Sequence, residues 1–115
     1  MSQQTINGYV VGHQRGVITV SKNGGLIRFT AAEVELICQI VNIALSMQSL
    51  PALPPTIHNG RFTVQFKEDD TLGLFVGDGR EGTIDFMWSE GDELILTLDA
   101  AQSIALNELK MGTVL

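Results

Sequence analysis

The stretch from Phe29 to Leu50 constrains this chain most, because it reads as a helix with more apolar surface than one neighbour can cover. Thr30 and Glu33 have the spacing of a capping box, in which a hydroxyl and a carboxylate satisfy the free N–H groups of a helix start. Val34, Ile37, Val41, Ala44 and Leu45 fall on one helical face, and Leu36, Ile40, Ile43 and Met47 on a second. Gln39, Asn42 and Ser46 leave only a narrow polar strip. Such a helix needs cover on two sides, either from two layers of its own chain or from another copy. The surplus leads us to expect a homodimer through the 30–50 helix. Pro51 ends the helix, since proline disfavours helical geometry in the residue before it.

Around this helix the chain reads as strands and turns. Ile6 to His13 is a short β-like run with Asn7-Gly8 as a turn or bulge, and Gly16 opens the β-branched Val17-Ile18-Thr19-Val20-Ser21. Lys22-Asn23-Gly24-Gly25 is a hairpin signal, and Leu26-Ile27-Arg28-Phe29 returns into the helix. Residues 51–56, with Pro51, Pro54 and Pro55, form a stiff linker between halves 1–50 and 57–115 of a single domain. Beyond it, Phe62 to Lys67, Leu72 to Val76, Thr83 to Trp88 and Glu93 to Leu98 read as strands. Asp99-Ala100-Ala101-Gln102 caps a second helix that ends near Lys110, with Gly112 as its C′ residue. Gly16–Val34 and Gly82–Ser103 then share one order: glycine, strand, turn, strand, cap, helix. Both caps carry Ala-Ala, which suggests an internal duplication.

Composition narrows the class. Of 115 residues, 44% are apolar and 17% charged, which marks a globular chain. The single Cys38 has no disulfide partner within the chain and reads as a buried structural thiol suited to a reducing cytoplasm. Met1 to Gly8 has neither a basic region nor an apolar run, so a cytoplasmic location is expected. Glu33, Glu35, Gln39 and Asn42 interrupt the long helix and leave it short of the ~20 apolar residues that cross a bilayer. The net charge of −6 is unevenly spread. Residues 1–67 hold five basic residues against two acidic ones, giving +3, and the remainder holds two against eleven, giving −9. The first part can face a polyanion and the second would repel one.

Catalytic motifs fail on context. Gly77-Asp78-Gly79-Arg80-Glu81-Gly82 matches a dinucleotide fingerprint in form, but Thr83 opens a strand where a helix N-terminus is required, and Asp78 and Glu81 repel phosphate. His13 and His58 read as loop or strand-end residues without acids or thiols at ligand spacing, and no nucleophile comes with a partner. Neither a cofactor, a metal nor an enzymatic activity is expected.

What remains is a surface. If Ile27, Phe29, Phe62, Val64, Phe66, Ile84, Phe86, Trp88, Leu94, Leu96 and Leu98 face the helices, strand alternation turns another set outward. That set is Arg28, Thr63, Gln65, Lys67, Phe75, Asp85, Met87, Ile95 and Thr97, and Thr19 and Ser21 are candidates to join it. Aromatic side chains there would stack on bases while lysine and arginine follow a phosphate backbone. The candidate contacts are Arg15, Lys22, Arg28, Gln65, Lys67 and Phe75.

The order strands–helix, strands–helix, each helix launched straight from its last strand, is carried by Gly16–Leu45 and Gly82–Leu109. It resembles the whirly, PUR and positive-cofactor-four type single-stranded DNA-binding proteins. The resemblance implies a curved antiparallel sheet that binds single strands, with helices pairing the repeats or subunits. The expectation is therefore an α+β fold, an antiparallel sheet with two helices packed on one face in two strand–strand–helix repeats. Its partner would be single-stranded DNA or RNA. The alternative is a small acidic protein-binding module, an inhibitor or assembly factor, steered to a basic protein by Glu68, Asp69, Asp70, Asp78, Glu81, Glu90, Asp92 and Glu93.

Overall fold

Alternating apolar residues build eight antiparallel strands, and these form one sheet in the order β1-β2-β3-β4-β8-β7-β6-β5. The computed structural model describes residues 2–6, 8–22, 24–77 and 82–114, and side chains among those between 3 and 107. The first half runs β1 (Ser2–Ile6), β2 (Tyr9–Gln14), β3 (Val17–Lys22), β4 (Gly25–Thr30), a 3-10 turn (Ala31–Glu33) and α1 (Val34–Ser46). The second runs β5 (Thr56–Asn59), β6 (Phe62–Phe66), β7 (Thr71–Val76), β8 (Gly82–Met87), a 3-10 turn (Trp88–Glu90) and α2 (Gly91–Val114). The fold is α+β, with both helices packed against the sheet.

Each half is a four-strand meander, and the two meet at a narrow seam where Leu26 pairs with Thr83 and Ile27 with Gly82. Glycine makes that approach feasible. A Cβ at Gly82 would lie 2.0 Å from the Leu26 carbonyl oxygen, and one at Gly25 would lie 2.6 Å from that of Thr83. Gly82 also has a φ of 115°, a region that side chains other than glycine's rarely enter.

The helices cross over. α1 packs on β5 and β6 of the second half, while α2 packs on β2 and β3 of the first and against α1. One core results, in which Ile27 and Phe29 of β4 and Ile84 and Phe86 of β8 are buried with Ile37, Ile40 and Val41 of α1 and Leu94 and Leu98 of α2. Asn59 reinforces the crossing, its Nδ2 donating to the Leu36 carbonyl at 2.9 Å, and Gln102 Nε2 donates to that of Ala31 at 2.9 Å. Both covers that α1 requires come from within the chain. In the 30–50 stretch Ile43 and Leu50 are the large apolar side chains left exposed, at 49% and 46%.

Four local expectations change. Ser2–Ile6 and Thr56–Asn59 are strands of their own, paired to β2 and β6, whereas the sequence reading starts its first β-like run at Ile6 and ends its linker at residue 56. Glu93–Leu98 is helical, because the Glu90 carboxylate accepts the Met87 N–H at 2.9 Å and starts α2 there. Asp99-Ala100-Ala101-Gln102 therefore lies inside α2 and caps nothing, and Gly112 lies inside the helix as well. The residue that corresponds to Glu33 is Glu90, so the Gly16–Val34 to Gly82–Ser103 match, drawn through Asp99, is out of register. Asp78, Gly79, Arg80 and Glu81 lie outside the described residues.

Candidate functional site

Strand alternation gives the sheet one face toward the helices and one away from them, and among the described residues neither helix covers the second. A single cross-strand row traverses all eight strands on this outer face. It runs from Thr5 through Val10, Ser21 and Leu26 to Thr83, Phe75, Thr63 and His58. At the usual inter-strand spacing the row is about 34 Å long. Val10 and Leu26 are 41% and 46% exposed, and Phe75 is half-buried between Thr63 and Thr83. His58 Nδ1 and Thr63 Oγ1 lie 2.9 Å apart at the end of the row.

Next to this row, Gly12, Thr19 and Arg28 face one another across β2, β3 and β4. With His13, Gln14, Arg15 and Val17 they line an open concavity of about 410 Å³. Its shape follows from the sequence. Gly12 contributes no side chain to the floor, and the two-residue hairpin at Arg15 and Gly16 has positive φ at both positions, 51° and 81°. That is the geometry of a type I′ turn, and it brings Arg15 to the rim. Arg28 is exposed and has no carboxylate partner among the described residues. The first acidic residue of the chain is Glu33, so β1 to β4 present no carboxylate at all.

The other half carries a different arrangement on the opposite side of the row. Gln65, Gly73 and Asp85 face one another across β6, β7 and β8. Lys67 Nζ donates to Asp85 Oδ1 at 2.8 Å, and the lysine stem lies across Gly73, where a Cβ would be 2.9 Å from Lys67 Cε. Lys67 is thus on the outer face as expected, but paired.

Of the six expected contact residues, Arg15 and Arg28 share the concavity, while Gln65, Lys67 and Phe75 lie on the outer face of the second half. Lys22 does not join them. It points to the helix side, where its ammonium bonds the Glu90 carboxylate and sits 4.4 Å from the centroid of the Tyr9 ring. That bond holds the lysine pKa above its ordinary value and the Glu90 pKa below its own. Ile95 and Thr97 leave the outer set because they belong to α2, and Leu96, expected inside, is 62% exposed. Sequence reasoning missed Gly12, Gln14 and Leu26. An isolated glycine inside the alternating run of β2 was the available signal for the first.

The remaining ionisable groups do structural work or stand apart. Glu33 accepts the Thr30 N–H at 2.9 Å and a two-pronged contact from Arg61, which with the cap holds its pKa down at about 2. Cys38 Sγ lies 3.9 Å from Asp99 Oδ1, and burial together with that carboxylate raises the thiol to about 11. Glu68, Asp69 and Asp70 form a hairpin tip, and Asp92 and Glu93 are exposed in the first turn of α2. Among the described residues no three His, Cys, Asp or Glu side chains converge as metal ligands would, and no helix is long and apolar enough to cross a membrane. Comparison with protein-family models, with curated proteins and with solved structures gave no match to this chain.

Proposed function

We propose that the chain is a non-enzymatic single-stranded nucleic-acid-binding protein that takes the strand across the outer face of its sheet, as a small regulator of transcription or replication would. The observation that carries this reading is the placement of charge. A chain of net charge −6 keeps the outer face of β1 to β4 free of carboxylates and puts Arg28 and Arg15 around a concavity there. Arg28 and Arg15 would hold backbone phosphates, and bases would lie on Phe75 and on the apolar side chains of the long row. A row of about 34 Å accommodates several nucleotides. The resemblance to the whirly, PUR and positive-cofactor-four type proteins points the same way, since an antiparallel sheet binds single strands there.

The test is fluorescence anisotropy of a labelled oligo-dT at low salt. Binding is expected, weakening as salt rises, with Arg28→Ala and Phe75→Ala each lowering affinity about tenfold. An unchanged anisotropy at tens of micromolar protein overturns the proposal. The acidic protein-binding module then becomes the better account, with Glu68, Asp69, Asp70, Asp92 and Glu93 as its docking charges.

A further inference from the structure

The two halves present equivalent positions on the outer face. The equivalence is anchored by Ile27, Phe29 and Glu33 in the first half and Ile84, Phe86 and Glu90 in the second, at identical spacing. Both glutamates accept the backbone N–H three residues earlier at 2.9 Å. On this register Arg28 corresponds to Asp85, Thr19 to Gly73 and Gln14 to Lys67. One position is an open concavity with an exposed arginine, and the other is filled by the chain itself.

We infer that the sheet grips a single strand through one phosphodiester site, at Arg28 and Thr19, and that Asp85 keeps the equivalent second site closed by holding Lys67 across Gly73. This rests on the reading of the outer face as a nucleic-acid surface. A phosphodiester carries one negative charge and bare acceptor oxygens, which suits a guanidinium that has no carboxylate partner among the described residues. Thr19, cross-strand to Arg28, offers a hydroxyl donor beside it. In the second half Lys67 is neutralised, its stem covers Gly73, the residue without a side chain in that row, and Asp85 repels phosphate. A bound strand would accordingly turn its backbone to β3 and β4 and its bases to Phe75. Asp85 then sets how many phosphates are gripped.

Anisotropy titrations of labelled oligo-dT across a salt series test this, with thermal melts followed by circular dichroism to show that each variant is folded. Asp85→Asn is expected to raise affinity several-fold and to steepen the log–log salt dependence by about 0.7, the value for one added phosphate contact on a single strand. The double variant Asp85→Asn/Lys67→Gln returns to the wild-type slope, whereas Arg28→Ala makes it shallower by about 0.7. Inorganic phosphate at matched ionic strength should compete no better than chloride, and full displacement by millimolar phosphate overturns the assignment in favour of a free anion. If the wild type binds, Arg28→Ala weakens it and Asp85→Asn changes neither affinity nor slope, the closed second site is wrong while the nucleic-acid reading stands. Absence of wild-type binding removes both.

Discussion

Arg61 of the second half clasps Glu33 of the first, Nε donating to one carboxylate oxygen at 2.5 Å and a terminal nitrogen to the other at 2.8 Å. The same oxygen that takes the second bond also accepts the Thr30 N–H, so one carboxylate starts α1 and ties the halves together. Lys22 and Glu90 repeat the arrangement in the opposite sense, a first-half cation on the carboxylate that starts α2. Helices that cross onto the other half's strands need their starting points fixed relative to those strands, and these two pairs do that.

Acid should therefore loosen the fold through Glu33. Its folded pKa of about 2 lies below the ordinary 4.5, so its contribution is fully present above pH 4.5 and is lost as pH falls through about 2. Because the Arg61 side chain is 39% exposed, water screens the pair, and about 1 kcal/mol is a fair size for it. Urea denaturation of Arg61→Ala should show that loss at pH 7, with little difference from wild type remaining at pH 2. An equal loss at both pH values would detach the effect from the carboxylate.

The seam between β4 and β8 predicts an unequal pair of glycine substitutions. Gly8 and Gly82 both have positive φ, but nothing lies within 4 Å of a Cβ at Gly8, whereas one at Gly82 meets the Leu26 carbonyl at 2.0 Å. Gly8→Ala reports backbone strain alone and should cost about 1 kcal/mol. Gly82→Ala must also part the strands that join the halves, and should cost more than about 3 kcal/mol or prevent folding. Comparable midpoints in chemical denaturation would refute the close seam.

Periodicity made much of this fold readable before any coordinates. Thr30 and Glu33 marked the start of the first helix, alternation placed Phe62 and Val64 inside, and the two apolar faces of residues 34–47 announced two covering layers. The second helix was misread because Leu94, Leu96 and Leu98 alternate as a strand would. Among the described residues α2 buries Gly91, Leu94, Thr97, Leu98, Ala101 and Ala105, which recur at helical spacing, but a glycine and a threonine among them dilute the apolar signal. The concavity at Arg28 was legible only in part. Which face a charge occupies follows from alternation, but whether Lys22 or Lys67 finds an acid depends on Glu90 and Asp85, distant in sequence and close only once the strands are ordered.

Cys38 should be a slow thiol. With its pKa raised to about 11 by burial and by Asp99, the reactive thiolate at pH 8 is roughly two orders of magnitude scarcer than for a free cysteine. Iodoacetamide labelling followed by mass spectrometry should be correspondingly slow in native protein and fast in urea. Asp99→Asn removes the charge but leaves the burial, so it should quicken native labelling only in part.

A close approach between the helices supplies a prediction whose sign depends on background. A Cβ at Gly91 would lie 2.5 and 2.7 Å from the two methyl carbons of Leu45 and 3.0 Å from its Cγ. Gly91 is buried in the first turn of α2, and Leu45 is packed half-buried near the end of α1. Gly91→Ala gains up to about 1 kcal/mol of helix propensity but forces Leu45 out of its packed position, at a cost of about 1–3 kcal/mol. The net effect should be destabilising by roughly 1 kcal/mol. Leu45→Ala alone opens a cavity and should cost about 2 kcal/mol. In that background the methyl added at position 91 has room, so only the propensity gain and partial filling of the cavity remain, and Gly91→Ala should stabilise. A double-mutant cycle by denaturant unfolding reads the reversal directly, and a substitution that destabilises equally in both backgrounds would show that Leu45 is not what Gly91 makes room for.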